Sequence, residues 1–413
     1  MRIFEEKEME LKGIDYLKNQ LEIKQKRIKL RYKYYDAKKE AESFSKALPE
    51  EYRWLSHVLG WSTEAVDSIA DRLSVHGFRD DNFNLSEIYD LNNKDILFDS
   101  ACLDALIAAC SFLYISKKEN FPAIQVIDGY NATGIVDDTT EFLYEGYAVL
   151  ERDTNGEVVQ DAYFEPGKTT IYTHITGKAP EIEEIENPAL YPLLVPIIHR
   201  PDATRPFGRS RISRAMMSSQ QAAMRTIRRS EICSEFYSFP QKYVLGLDPE
   251  AEFNNVKATY SRFLRFDANE NGEKPTVGNF SQQSMAPFIE ELRMHASLFA
   301  GQSGLNLSDL GFPTENPSSV EAIKASHNKL ATKARKAQKC FSIGFINAGF
   351  LAACLRDEQT YQRQEIYRTS LIWEPLFEID GSALGAIGDA IQKIESSFPG
   401  YITEDKIYDI FGV

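Results

Sequence analysis

Hydrophobic and polar positions divide the chain into a helical beginning, a strand-rich middle and a second set of helices. The longest helical pattern lies late. Val320, Ile323, His327, Leu330, Ala334, Ala337, Phe341, Gly344, Ala348, Leu351 and Leu355 recur in alternating steps of three and four, which is one face of one helix. Ser318 followed three residues later by Glu321 matches a capping box, so a single helix is expected over 318–356. It would be on the order of 55 Å long, and something long must lie beside it. Small residues in mid-stripe (Ala334, Ala337, Gly344, Ala348) permit close backbone approach, while Lys329, Lys333 and Lys336, with Arg335 and Lys339, take the other faces. That basic face is either solvated or turned to an anion.

Earlier in the chain, Glu5 to Ala47 reads as one or two charged helices with a thin stripe of Leu17, Leu21, Ile28 and Tyr32, a pattern suited to a peripheral arm rather than a core. Ser62 starts an amphipathic helix (Ala65, Val66, Ile69, Ala70, Leu73) expected to end at Gly77 in a left-handed cap. Ile96 to Tyr114 reads as a second, unusually apolar helix. From Ala123 the period shortens to two. Strands are expected at 124–127, 140–150, 160–164 and 169–175, with Asn155-Gly156 as a hairpin turn, making one small antiparallel sheet. Pro188 to Pro201 reads as a connector.

An arginine-rich segment follows, with helical periodicity from Arg209. Ile212, Met216, Ala223 and Ile227 mark one face; Arg211, Arg214, Ser218, Gln221, Arg225 and Arg228 line another, with Arg229 beside them. Such a stripe is ordinarily a solvated face, but the arginine fork also suits carboxylates of a neighbouring subunit or phosphates. After Pro240 comes an α/β insert: a strand from Tyr243, a helix capped by Asp248, and strands at 263–266 and 276–280 around Asn271-Gly272. Pro287 opens a helix ending near Gly301 or Gly304, and Gly304, Gly311, Pro313 and Pro317 break the chain before the long helix. The breakers and polar residues of 306–314 suggest no core function. A strand at 370–373, a helix over 382–396 and a last one after Thr403 close the pattern.

Composition narrows the function classes. The 413 residues are 43% hydrophobic and 26% charged, enough for two or three cores, and the net charge of -14 argues against a protein that coats nucleic acid with its whole surface. Five cysteines without a CxxC pair read as small core residues in a reducing compartment. No signal peptide opens the chain, and the apolar window 341–355 is too short to span a bilayer and contains Asn347. Catalysis finds little support. Gly301-Gln302-Ser303-Gly304 lacks nucleophile-elbow spacing, Gly129 to Gly134 lacks the Lys-Ser/Thr of a phosphate loop, and the six histidines are scattered. No enzyme activity, cofactor or metal is expected.

The order of these elements, with Tyr34-Tyr35, Ala65 to Phe78, Phe207-Gly208-Arg209-Ser210, Gly304-Leu305, Leu310-Gly311, Asn316 to Ile323, Trp373-Glu374-Pro375 and Asp389-Ala390, resembles the portal proteins of tailed bacteriophages, the head-to-tail connectors of long, non-contractile-tailed phages. The resemblance implies an α+β, mainly helical portal-type fold: arm and wing over 1–207 with a sheet at about 123–200, a stem helix over 208–237, a clip over 238–286, a second stem helix over 287–304, a tunnel loop over 305–317, a long wing helix over 318–356, and a C-terminal wing with a short crown over 357–413. It implies a homo-oligomeric ring, usually a dodecamer, at one capsid vertex of the virion, assembled in the host bacterial cytoplasm. Partners so implied are the terminase large subunit, the head-tail adaptor, major capsid and scaffolding proteins, and double-stranded DNA passing non-specifically, with no membrane.

On that mapping Asn306, Ser308, Asp309, Thr314 and Asn316 would face the DNA channel, and Arg211, Arg214, Arg225, Arg228 and Arg229 would meet the next subunit. Lys329, Lys333 and Lys336 would form the basic face of the long helix, and Tyr243, Asp248, Arg265 and Asn271 would belong to the clip contacted by terminase and adaptor. The loop offers no lysine or arginine between Gly304 and Pro317, which suits DNA that must slide. The competing reading is a non-viral helical scaffold forming a small oligomer.

Overall fold

The computed structural model describes residues 11–42, 55–118, 121–238, 242–245, 276–279, 284–313, 327–376 and 381–401. Chain order begins with α1 (Ile14–Tyr35), α2 (Trp61–Ala70), β1 (Val75–Arg79), α3 (Leu85–Leu91) and α4 (Lys94–Ala108). Eight strands follow: β2 (Cys110–Lys117), β3 (Pro122–Ile127), β4 (Ala132–Val136), β5 (Leu143–Arg152), β6 (Val158–Glu165), β7 (Lys168–Thr173), β8 (Glu181–Glu186) and β9 (Leu194–Ile198). The remainder holds α5 (Arg214–Ser238), β10 (Lys242–Leu245), β11 (Thr276–Asn279), α6 (Ala286–Ser303), α7 (Asn328–Asp357), β12 (Ser370–Trp373) and α8 (Gly381–Ser397). The fold is α+β, with short antiparallel sheets among the helices.

The core is built on α7. From Leu330 to Leu355 every described position of its predicted stripe is buried. Gly344 is required by proximity: a Cβ there would meet Ile197 Cδ1 at 2.5 Å and the Pro196 carbonyl oxygen at 2.8 Å. Within the described residues α7 starts at Asn328, and the predicted capping box at Ser318 and Glu321 lies outside them. By length and apolar composition α7 could cross a membrane, but most of it is buried inside this fold. Asn347, on its buried side, donates from Nδ2 to the Thr140 carbonyl at 3.0 Å.

Several expectations are corrected. Gly77 is not a helix cap. The helix before it stops at Ala70, and Gly77 sits in β1, opposite Ile372 of β12 at a bulge. The apolar run after Lys94 is two elements: Ala109, at φ 95°, ends α4, and Cys110 to Ile115 continue as fully buried strand. A strand buried on both faces reads as a continuous apolar run, which periodicity does not separate from a helix.

The expected single sheet is two, ordered β3-β2-β9 and β4-β5-β6-β7-β8. The supposed connector supplies β9, whose five residues are all buried and which tolerates Pro196 because it pairs only with β2, as an edge strand. Both edges of the five-stranded sheet, β4 and β8, were also missed in the sequence, and β8 is Glu-Ile-Glu-Glu-Ile-Glu and wholly exposed.

Nor is the N-terminal helix peripheral. Leu17 and Leu21 of α1 pack with Tyr147, Val149 and Tyr163 on the five-stranded sheet. Buried Glu145 of β5 accepts the backbone N–H groups of Lys12 (2.9 Å) and Gly13 (3.0 Å), taking up donors that a helix start leaves unmet. Farther along, Lys18 reaches Asp161 at 2.9 Å and Tyr32 donates to Asp104 at 2.9 Å. The thin stripe meets the five-stranded sheet at Leu17 and Leu21 and α4 at Tyr32, partners that local pattern does not display.

Candidate functional site at the end of the second arm helix

The two long helices α5 and α6 pack together and run antiparallel: Arg211, just before α5, bonds Ser303 at the end of α6, and Arg229, well along α5, bonds Glu291 near the start of α6. At 1.5 Å per residue, the 25 residues of α5 make an arm of about 37 Å. Its base is tied to the body. Gln220 donates to the Leu59 carbonyl and accepts from Ser62, Gln221 bonds both Glu40 and Glu42, and Trp61 lies 5.5 Å from Phe299 of α6 between ring centroids. At the opposite end, β10 and β11 form a two-stranded antiparallel ladder. Tyr243 stands in β10; Asp248, Arg265 and Asn271 lie outside the described residues.

The body end of α6 is where the predicted residues converge. Gly304, at φ 84°, turns the chain out of the helix and leaves its last carbonyls without intrahelical donors. Cations take them. Lys329 Nζ donates to Gly301 at 2.6 Å, Lys333 Nζ to Gln302 at 2.8 Å and Ser303 at 2.7 Å, and the Arg211 guanidinium to Ser303 and, from Nε at 2.9 Å, to Ala65 of α2. Positive charge at a helix C-terminus is favourable, but this much carries a penalty. Burial, reinforced by Arg211, Lys329 and Arg200, holds the Lys333 ammonium down to about 7. Arg211, lowered to about 10 by burial and then by Arg200, stays charged at neutral pH.

A loop between β9 and α5 walls this end. Gly208, at φ 67°, presses on the main chain just after β9, where a Cβ would meet the His199 carbonyl oxygen at 2.2 Å. Arg209 N donates to that same carbonyl at 2.8 Å, and Arg211 N to Leu106 at 2.8 Å. His199, buried and lowered to about 3, is neutral; its Nδ1–H donates to the Arg209 carbonyl at 2.6 Å. Asp202 pairs with Arg209, with Nε at 2.8 Å from the carboxylate. Sequence periodicity had extended the helix back to Arg209; the breakers Pro201, Pro206 and Gly208 were the signal for this wall instead.

The remaining predicted residues separate. On α5, Arg214 is exposed, Arg225 half-buried and Arg228 buried, while Arg229 holds Glu291 at 2.7 Å. Lys336 is exposed and takes no part in the junction. Asn306, Ser308 and Asp309 form the folded base of the predicted loop, where Asp309 accepts the Asn306 N–H at 2.8 Å. Leu310 beside them is buried and Phe312 N bonds Leu307 at 3.0 Å, so the view that 306–314 has no core function is corrected. Thr314 and Asn316 lie outside the described residues.

Two curated proteins share this chain's sequence at length. Over 326 residues it is 25% identical to the portal protein of Mycobacterium phage L5, spanning 75% of this chain and 67% of that one. Over 397 residues it is 24% identical to the portal protein of Mycobacterium phage D29, spanning 90% and 80%. The chain is a relative of the phage portal proteins. No protein-family model matches this portal relative. Among solved structures, the neck of the empty gene transfer agent particle computed with C6 symmetry has a TM-score of 0.49 at 13% identity over 86% of this chain and 90% of that one. The virion of the native gene transfer agent particle has 0.47 at 11% identity, over 86% and 89%.

Proposed function

We propose that this chain is a phage portal protein, a structural subunit that closes into a ring at one vertex of the virion and passes double-stranded DNA during packaging and ejection. The observation that carries the reading is the similarity to the phage D29 portal protein over 90% of the chain. The antiparallel arm of α5 and α6 suits the stem of such a subunit, and β10 with β11 at its far end suits the clip that terminase and then the head-tail adaptor would contact. The segment after α6 would border the channel. Its described part has Asn306, Ser308 and Asp309 and no basic residue, which fits a channel in which DNA slides, since each phosphate grip adds affinity that must be broken.

Ring closure is a heterologous contact between two different faces of the same chain, and it gives a high-order particle with an axial hole. Mass photometry followed by electron-microscope class averages tests it. A species of about a dozen copies with a central channel is expected. A monomer or closed dimer at every salt and concentration would overturn it and leave a small-oligomer scaffold.

A further inference from the structure

Between the β9–α5 loop and the end of α6 lies an open cleft of about 480 Å³, lined among others by Arg200, Asp202, Arg209, Arg211, Ser213 and Lys333. Its charge does not balance. Asp202 is the only carboxylate in the lining and is taken up by Arg209. Arg200, Arg211 and Lys333 have no carboxylate partner among the described residues, and Lys329 stands beside Lys333 with none either. The carbonyl end of α6, which Arg211, Lys329 and Lys333 cap, supplies only about half a negative charge against these cations. All this occurs in a chain whose net charge is -14, so the concentration of positive charge is local and not a reflection of composition.

Helix capping alone does not explain the arrangement. Arg200 caps nothing: it is exposed at the cleft, held at φ 54° by the wall that Gly208 and His199 pack into place. Ser213, one residue before α5, lies in the lining at the positive end of that helix. The cleft thus has a fork-shaped donor at its mouth, a buried guanidinium and an ammonium within, and a helix start on one side. Planar and tetrahedral oxyanions are recognised by such donors, and phosphate best fits two guanidinium forks with an ammonium.

We infer that this cleft is a binding site for a phosphate group, held by Arg200, Arg211 and Lys333, with Arg209 kept in place by Asp202. It does not depend on the ring reading, because every named residue belongs to one subunit. The phosphate could be free inorganic phosphate or a phosphodiester of nucleic acid, and the two sources differ in the second arm of the test.

The test is titration of inorganic phosphate into the full chain, followed by phosphorus NMR line broadening at constant ionic strength set with chloride. Saturable broadening is expected, weakened at least tenfold in Arg200→Glu and unchanged in Arg293→Glu, an exposed cation on α6 away from the cleft. Arg200 is exposed, so its variant should keep the native urea midpoint; a lowered midpoint would move the comparison to Arg200→Gln. Broadening no greater than in chloride, or equal loss in both variants, would overturn the site. Competition by a short DNA duplex would assign the phosphodiester source, and phosphate binding without competition the free ion; both support the site.

Sulfate, which keeps its charge across the range, gives a second readout. Facing Lys333 are Arg200, Arg211 and Lys329, the neutral His199 and the Asp202–Arg209 pair. Sulfate affinity should therefore fall as pH rises through about 7, where Lys333 loses its proton. A flat profile would remove Lys333 from the site.

Discussion

Arg211 donates to the carbonyls of Ala65 and Ser303 from a position that is 7% exposed, so removing it takes a charged donor from each of two buried main-chain acceptors, leaving Ala65 with the longer side-chain bond from Ser68 and Ser303 with Lys333. Arg211→Met is expected to cost about 3 kcal/mol of unfolding free energy, seen as a lower urea midpoint at unchanged slope. An unchanged midpoint would show that the guanidinium is dispensable to the fold. The sequence placed Arg211 on a polar stripe with Arg214, and by spacing that was sound; depth separates them, because Arg211 precedes the helix and points into the body. Lys333 is similar. Its place on a basic helical face was legible, whereas its contact with the end of α6, some thirty residues earlier in the chain, was not.

Elements show the same division. The stripe of α1 predicts a helix, yet its attachment rests on residues of a distant sheet. Burial pushes the Asp161 carboxyl up, but hydrogen bonds from Tyr147 (2.7 Å), Lys18 and His174 (2.7 Å) outweigh it and hold the group below its ordinary value of 3.8. A carboxylate lowered in the fold contributes stability that is present above that ordinary value and is lost as pH falls through the folded one. The contact between α1 and the sheet should therefore be acid-labile. Asp161→Asn at neutral pH should reproduce the loss, raising hydrogen exchange in 14–35 by about tenfold while the amides of α7 stay protected. Uniform acceleration across both helices would mean that α1 opens only with the whole domain.

Over the whole molecule, ring closure needs surfaces that face another copy. Among the stripe arginines, Arg228 is buried, so a glutamate there would test folding before assembly, and Arg229 is engaged by Glu291 within the chain. Arg214 is exposed, with no carboxylate partner among the described residues, and is the better probe. Arg214→Glu should reduce the ring fraction in mass photometry with the urea midpoint unchanged, and high salt should loosen the wild-type ring in the same way. Full rings from the variant at low salt would take Arg214 out of the interface.

The sequence by itself determined most element types, the buried face of α7, the antiparallel hairpins of β5 to β7 and the arm that leaves and rejoins the body, because each is written in local periodicity and turn residues. It also carried the portal resemblance. Only the tertiary structure decided that the apolar run after Lys94 splits into α4 and β2, that a proline-rich connector is the edge strand β9, that α1 lies against a sheet, and that Arg200, Arg211 and Lys333 share one cleft. Those outcomes rest on contacts between residues far apart in the chain, whose energies come from burial and charge at positions that spacing does not reveal.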